Sequence, residues 1–264
     1  MKYQYPLILI STILFIVMSI SCTDSNRSYP PRLESNSQYV SPTQEQKLWA
    51  LATCAILTES NRKSHDLLGG CKRSPKQIKA WQNSLVKWWG VHNRNDLLEK
   101  LDWIIEGGHR KQFDEIAKKL STATPLQIAD LRKQIVNDPS LKNRIDVVLK
   151  YKDELGLKSI TAWDYFRYVS LCGWGYIAGY LTEEESWKKI MPAAKLLQRT
   201  FNSWEDLGRN HIIGYEFWSL KQTQRRGKLT RQCYSRLLTE PSSPWKKLSW
   251  DLNLSSVVPE GIGK

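Results

Sequence analysis

From Thr43 onward the apolar residues recur at spacings of three and four, and Ser, Thr, Asn or Asp stands where each new run begins. That is the periodicity of helices that bury one face, with capping residues at their starts. No run of alternating β-branched residues competes with it, so the pattern predicts an all-α chain. A first helix is expected from about Thr43 to Glu59, turning Leu48, Leu51, Ala52, Ala55 and Ile56 to a core, with a Gly69-Gly70 loop after it. Ser74-Pro75 pairs an N-cap with a proline at the first helical position, where no amide donor is needed, and opens a helix through Trp81, Leu85 and Trp88. Asn93 opens the next, which ends at Gly107-Gly108, and a short helix is expected from His109 to Leu120. Thr124-Pro125 and Asp138-Pro139 repeat the cap-plus-proline signal, for helices to about Val136 and to Leu155-Gly156.

The second half is richer in aromatics. One helix should span about Ile160 to Tyr180. Thr182 to Glu185 reads as a capping box, in which each side chain satisfies the other's backbone amide, and starts a helix to Phe201 that Pro192 is placed to kink. Ser203 opens a helix to about Leu220, and a last one is expected from about Leu229 to Leu238, before an irregular tail. The expectation is one compact multi-helix domain of about nine or ten helices over residues 43–264.

The first residues obey a different rule. A nearly unbroken apolar run, Leu7 to Ile20, follows Lys2 and ends at Ser19-Ile20-Ser21-Cys22. A cationic start, an apolar stretch of about 14 residues and small residues ahead of a cysteine make a secretory signal of lipoprotein type over residues 1–21. The run is short of the ~20 residues that a spanning helix requires, which leaves an uncleaved membrane anchor as the second reading. Cys22 is the position that lipoprotein processing would acylate, although Ser19 stands where such boxes usually carry Leu. Residues 22–42, rich in Ser, Asn, Pro and Tyr, have too little apolar surface to fold and read as a flexible tether. The expected location is therefore exported, held on a bacterial membrane by lipid and facing the periplasm or the cell exterior.

Charge adds a candidate surface. Loss of residues 1–21 removes Lys2 and no acidic residue, which lowers the formal net charge from +13 to +12. Between Lys221 and Lys247 the chain carries Lys221, Arg225, Arg226, Lys228, Arg231, Arg236, Lys246 and Lys247 against Glu240 alone. On a membrane-anchored protein such a segment suits anionic headgroups or an acidic protein, and it is equally compatible with a solvated face. No nucleic acid is expected, because no recognised binding motif accompanies the charge. Cys54, Cys71, Cys172 and Cys233 show neither CxxC spacing nor the density of a disulfide scaffold; Cys54 and Cys172 lie on apolar stretches and are expected to be buried as small hydrophobes.

Three stretches taken in order resemble a known family. They are Trp89-Gly-Val-His-Asn-Arg with Trp103-Ile-Ile-Glu-Gly-Gly-His-Arg-Lys-Gln-Phe113, then Ala162-Trp-Asp-Tyr-Phe-Arg167 with Gly173-Trp-Gly-Tyr-Ile-Ala-Gly-Tyr180, then Phe201-Asn-Ser-Trp204 with Gly214-Tyr-Glu-Phe-Trp218. Together, over about Trp81 to Trp218, they resemble the YbeU/YbeR-like family of unknown function (domain of unknown function 1266). The resemblance implies a helical fold and no activity to carry over.

The residues nearest to chemistry lie in the same stretches. Asp164 and Arg167 are spaced to share one helix face. If His109 and Arg110 meet that face, the four offer a base, an orienting carboxylate and guanidinium groups for an anion. A catalytic role requires them to converge on an open pocket, whereas a network that pins a loop to the bundle would be buried and mutually satisfied. His65, His92, His109 and His211 form no metal-binding pair, and no nucleophile elbow or phosphate loop is present, so no metal or cofactor is expected. Glu183, Glu184 and Glu185 suit the positive end of a helix. Trp163, Trp174, Trp187, Trp204 and Trp218 at helical spacing read as packing before they read as a ligand pocket, and Gly175 with Gly179 reads as the close approach of a neighbouring helix. The leading expectation is a non-enzymatic helical binding module of the cell envelope. The alternative is a hydrolase or transferase acting on an anionic envelope substrate, and a toxin or immunity factor is a third class.

Overall fold

A computed structural model describes residues 40–255, so residues 1–21, Cys22 and most of the tether lie outside the described residues. Helix α8 (Thr161–Ala178) organises the rest. All of its residues except Trp174 and Tyr176 are buried, a pattern that only a central helix shows. Around it pack α3 (Pro75–Trp89), α4 (Arg94–Ile105), α5 (Gly108–Ser121), α9 (Glu183–Thr200) and α10 (Trp204–Trp218). α1 (Gln44–Ala52) lies against α9, α2 (Ala55–Ser60) against α11 (Leu220–Thr239), and α7 (Pro139–Leu155) against α5 and α10. α6 (Pro125–Gln134) and the short α12 (Pro244–Lys247) complete the set. Ten of these helices have nine or more residues, and no strand occurs among the described residues. The fold is all-α, as the periodicity predicts.

The side chains divide into two apolar clusters. The larger one runs from Trp49 and Leu51 through the middle of α8 to Leu237 and Trp245. The smaller one joins Phe113, Ile145, Val148 and Phe217 to Ile160 and Trp163 at the start of α8. The first turn of α8 therefore lies at the seam between the two cores, and this is where the candidate residues meet.

Local chemistry explains the boundaries. Ser74, Asn93, Thr124, Asp138, Thr182 and Ser203 cap their helices as expected, each side chain accepting a backbone N–H from three residues on. Two boundaries differ from expectation. The first helix is broken at Thr53-Cys54, where the Thr53 hydroxyl and the Cys54 thiol donate to the carbonyls of Ala50 and Leu51 at 2.7 and 3.3 Å. These side-chain bonds to carbonyls three residues back compete with the helical ladder. The last long helix starts nine residues early, at Leu220, because Ser219 ends α10 and at once caps α11, its Oγ accepting from the Gln222 N–H. Its buried stripe is Gly227, Thr230, Cys233 and Leu237; small residues at the first two positions conceal the apolar period. α9 runs on through Pro192 as one continuous helix.

The described cysteines are all free thiols, and Cys54 and Cys172 are buried as expected. Burial raises both thiols above their ordinary range. Gly175 does admit a neighbouring helix, with the Leu97 side chain of α4 seated against it; at Gly214 an added Cβ would stand 2.2 Å from Cβ of Trp163.

Candidate functional site

Helix α5 has no cap of its own. Its N-cap position is Gly107, and no Ser, Thr, Asp or Asn precedes it. The missing acceptor comes from α8. Asp164, fully buried, accepts the His109 N–H at Oδ1 (3.1 Å) and the Arg110 N–H at Oδ2 (3.0 Å), so a carboxylate sits at the positive end of α5, where the helix dipole favours it. α8 is capped the same way. Asn210 on α10 accepts the Ala162 N–H and donates to the Ser159 carbonyl, at 2.9 and 2.7 Å. Three helices are thus fastened in series, α10 to the start of α8 and α8 to the start of α5.

Two guanidinium groups complete the coordination of Asp164. Arg110 Nη1 donates to Oδ2 at 3.1 Å and to the Ile104 carbonyl at 2.7 Å, while its Nη2 donates to the Ile105 carbonyl at 2.6 Å. Arg167 Nη2 donates to Oδ1, and its Nε donates to the Trp163 carbonyl at 3.1 Å. Asp164 therefore accepts four N–H donors, about the number of lone-pair sites a carboxylate has.

The structure brings all four sequence-identified residues together. It does not arrange them as a base oriented by a carboxylate. His109 Nδ1 is 3.9 Å from Asp164 Oδ1, too far for a hydrogen bond, and Arg167 stands between, donating to Nδ1 at 2.8 Å. Accepting from a cation, Nδ1 carries no proton, so the neutral ring holds its hydrogen on Nε2. Burial, reinforced by the charges of Arg167, Arg144 and Lys100, pushes the imidazole down to about 2. Arg110 and Arg167 are 3% and 6% exposed, and only the His109 side chain, at 19%, reaches the surface.

With His109 neutral, two enclosed guanidinium groups share the Asp164 carboxylate, and aromatic rings face both of them. The Arg167 guanidinium lies 4.4 Å from the ring centre of Trp163 and 5.8 Å from those of Trp89 and Trp103, and Arg110 lies 5.2 Å from that of Tyr165. Desolvated cation–π contacts are worth about 2 kcal/mol each. The tryptophan at the centre thus has a structural task, in line with the packing reading. Trp89 and Trp103 stand within the stretches that carry the family resemblance, but nothing in their spacing shows that they surround a cation on another helix.

Behind Trp163 lies a histidine that the sequence offered only as a possible metal ligand. His211 is fully buried, stacked on Phe166 with ring centres 4.3 Å apart and tilted against Trp163 at 5.3 Å. Neither ring nitrogen has a hydrogen-bond partner. Burial, with the charge of Arg167, lowers its proton affinity to about 3.

With this geometry in view, the similarity to known proteins can be placed on it. Residues 84–250 match the model of the family described as Protein of unknown function (DUF1266). The chain belongs to the DUF1266 family. The match takes in α4 to α12, hence all of Asp164's donors, the tryptophans around Arg167 and the basic α11. Two relatives in Escherichia coli (strain K12) are similar over most of their length. Uncharacterized protein YbeR is 24% identical over 188 residues, 66% of this chain and 79% of its own, and Uncharacterized protein YbeU is 26% identical over 184 residues, 67% and 72%. No solved structure matches.

Gly108 is the position of this DUF1266 chain where the site tolerates least. Its φ is +51°, in the region that favours glycine, and an added Cβ would stand 2.6 to 2.8 Å from the three carboxyl atoms of Asp164. Gly108→Ala should destabilise the fold by about 2–3 kcal/mol through backbone strain and displacement of the carboxylate, as read by urea denaturation. A loss below ~0.5 kcal/mol would show that the carboxylate is not held in place there.

Proposed function

We propose that the protein is a non-enzymatic helical interaction module of the cell envelope, tethered through an acylated Cys22 and turning the basic face of α11 toward anionic headgroups. The supporting observation is a stripe of unpaired cations. Lys221, Arg225 and Lys228 stand at i, i+4 and i+7 of α11, all exposed and, among the described residues, none in an ion pair, whereas Arg231 and Arg236 of the same helix are paired with Glu216 and Glu59. The candidate catalytic network adds to the argument from the other side, because its carboxylate is saturated and its guanidinium groups are enclosed.

A lysine or arginine near an anionic surface contributes about 1 kcal/mol, so the three together are worth on the order of 100-fold in partition. Co-sedimentation with phosphatidylglycerol–phosphatidylcholine vesicles tests this on the unacylated Cys22→Ala chain. Binding should exceed that to pure phosphatidylcholine by about that factor, and the triple charge reversal Lys221→Glu, Arg225→Glu, Lys228→Glu should abolish it. Equal binding to both vesicle types would remove α11 from the proposal. Metabolic acyl labelling tests the anchor separately, with label expected in the wild type and absent from Cys22→Ala.

A further inference from the structure

A small cavity lies where α1 breaks into α2. Leu51, Cys54 and Thr58 line it on that side, Val169, Ser170 and Trp174 of α8 line it on the other, and the loop of residues 61–70 completes the wall. It measures about 20 Å³, room for one water-sized group. The loop is fixed in place. The Ser64 N–H donates to the Gly70 carbonyl and the Lys63 N–H to the Thr58 carbonyl, both at 3.0 Å. Gly69, with φ at +72°, lies so near α8 that an added Cβ would stand 2.5 Å from the Gly173 carbonyl oxygen.

His65 stands in this wall, and a relay orients its ring. Glu59 Oε1 accepts from Arg236 Nε and Nη2 at 3.1 and 2.9 Å, and Glu59 Oε2 lies 3.0 Å from His65 Nε2. A carboxylate oxygen takes an N–H, so the neutral ring carries its hydrogen on Nε2 and keeps a lone pair on Nδ1. Glu59 is not part of the wall, which leaves Nδ1 as the ring nitrogen on the cavity side. Nδ1 is buried and, among the described residues, has no hydrogen-bond partner. Buried acceptors are ordinarily paired, and the cavity is where a donor fits.

We infer that the cavity is a binding site for a neutral hydroxyl compound, a sugar or other polyol, one hydroxyl of which enters and donates to His65 Nδ1. The charge pattern selects this class. A lone pair repels an anion. Lys63, half-buried in the wall, repels an ammonium ion, and the carboxylate of Glu59 already has both oxygens engaged. Thr58, Ser64, Ser170 and Asn61 of the lining carry groups that both donate and accept, as a hydroxyl does. Trp174, stacked on Trp81 with ring centres 5.1 Å apart, adds an aromatic surface of the kind that lines small-molecule sites beside a few convergent polar groups. Only one hydroxyl-sized group fits inside, so the rest of the ligand lies outside the cavity. The inference does not rest on α11 or on acylation.

Nitrogen-15 magnetic resonance of the histidine side chains in the full chain tests it. There are four histidines, and the His65 signals are assigned by their loss in His65→Gln. On titration with methyl α-glucoside the Nδ1 signal should move saturably toward its hydrogen-bonded position, with half-saturation in the millimolar range, while the Nε2 signal stays that of a carboxylate-bound N–H. Sodium phosphate and methylammonium chloride at matched ionic strength should leave both signals in place. The Ser170→Val chain, in which a side-chain methyl group replaces the hydroxyl in the wall, should bind the glucoside at least ~10-fold more weakly. If that variant loses the signals of the other histidines it is not folded, and the three wild-type titrations decide alone. No saturable movement with the glucoside, an equal movement with phosphate or methylammonium, or unchanged affinity in a folded Ser170→Val chain would overturn the inference.

Discussion

Asp164→Ala should cost about 3–5 kcal/mol, the range found when one member of a buried ion pair is removed and its partners are left uncompensated. That is a large part of the 5–15 kcal/mol by which domains are ordinarily stable. The size follows from what would be stranded. The His109 and Arg110 N–H groups lose the acceptor that starts α5, and two enclosed guanidinium groups lose the carboxylate they share. Asp164→Asn should cost nearly as much. Its amide keeps the volume, but it would place NH₂ donors against a site made of donors. Arg167→Met should cost far less, at most about a third of the alanine value. Its removal leaves one carboxylate with one guanidinium and two backbone donors, and a thioether packs acceptably among Trp163, Trp89 and Trp103. Urea denaturation monitored by circular dichroism reads all three, with an unchanged slope required for the comparison to be one of stability alone. If Arg167→Met proved as damaging as Asp164→Ala, the cation itself, and not the carboxylate alone, would be what the surrounding tryptophans hold in place.

This asymmetry bears on what a sequence can and cannot disclose. The helices were legible because each is started by a residue three positions from the amide it satisfies: Ser74, Asn93, Thr124, Asp138, Thr182 and Ser203 are local signals. Where a cap is supplied by another helix, the local signal is an absence. Gly107-Gly108-His109 has no capping side chain, and that gap is the trace left in the sequence by Asp164, which lies more than fifty positions away. The grouping of His109, Arg110, Asp164 and Arg167 could be suggested from residue type, but its chemistry depends on which atoms meet. Arg167 Nη2, and not the carboxylate, occupies the imidazole lone pair, and this single contact separates a structural clasp from a base. The early start of α11 was hidden for a related reason, since Gly227 and Thr230 carry its buried stripe without being apolar. α6 is the opposite case. Its caps announce a helix plainly, and nothing local shows that the helix buries so little.

Stability should fall steeply on mild acidification, and the two buried histidines are the reason. In the unfolded chain a histidine titrates near 6.5. In the folded chain His109 is pushed down to about 2 and His211 to about 3, in both cases foremost by burial. The unfolded state therefore takes up protons that the folded state refuses. Their contribution is fully present above pH 6.5 and is lost as the pH falls toward the folded values, and each histidine costs about 1.36 kcal/mol per pH unit once its unfolded form is protonated. At pH 5 that amounts to about 2 kcal/mol for each and about 4 kcal/mol for the pair, a figure that requires only that both folded values lie well below 5. The carboxylates held below their ordinary range, Glu59, Asp146, Glu154 and Glu185, add a loss of the same sign, but only as the pH drops through about 4.5. The interval from pH 6 to 4.5 thus belongs to the histidines, and there the unfolding free energy should change with a slope approaching two protons. The groups facing His211 are the rings of Phe166 and Trp163 and the charge of Arg167, none of which can accept its proton. Replacing it by phenylalanine, which keeps the stacked ring and removes two unpartnered nitrogens, should halve the slope and stabilise the protein at pH 5 more than at pH 7.5. Urea melts across this interval for the wild type and His211→Phe test the assignment directly, and equal slopes in the two proteins would show that His211 already finds a proton or a partner inside the fold.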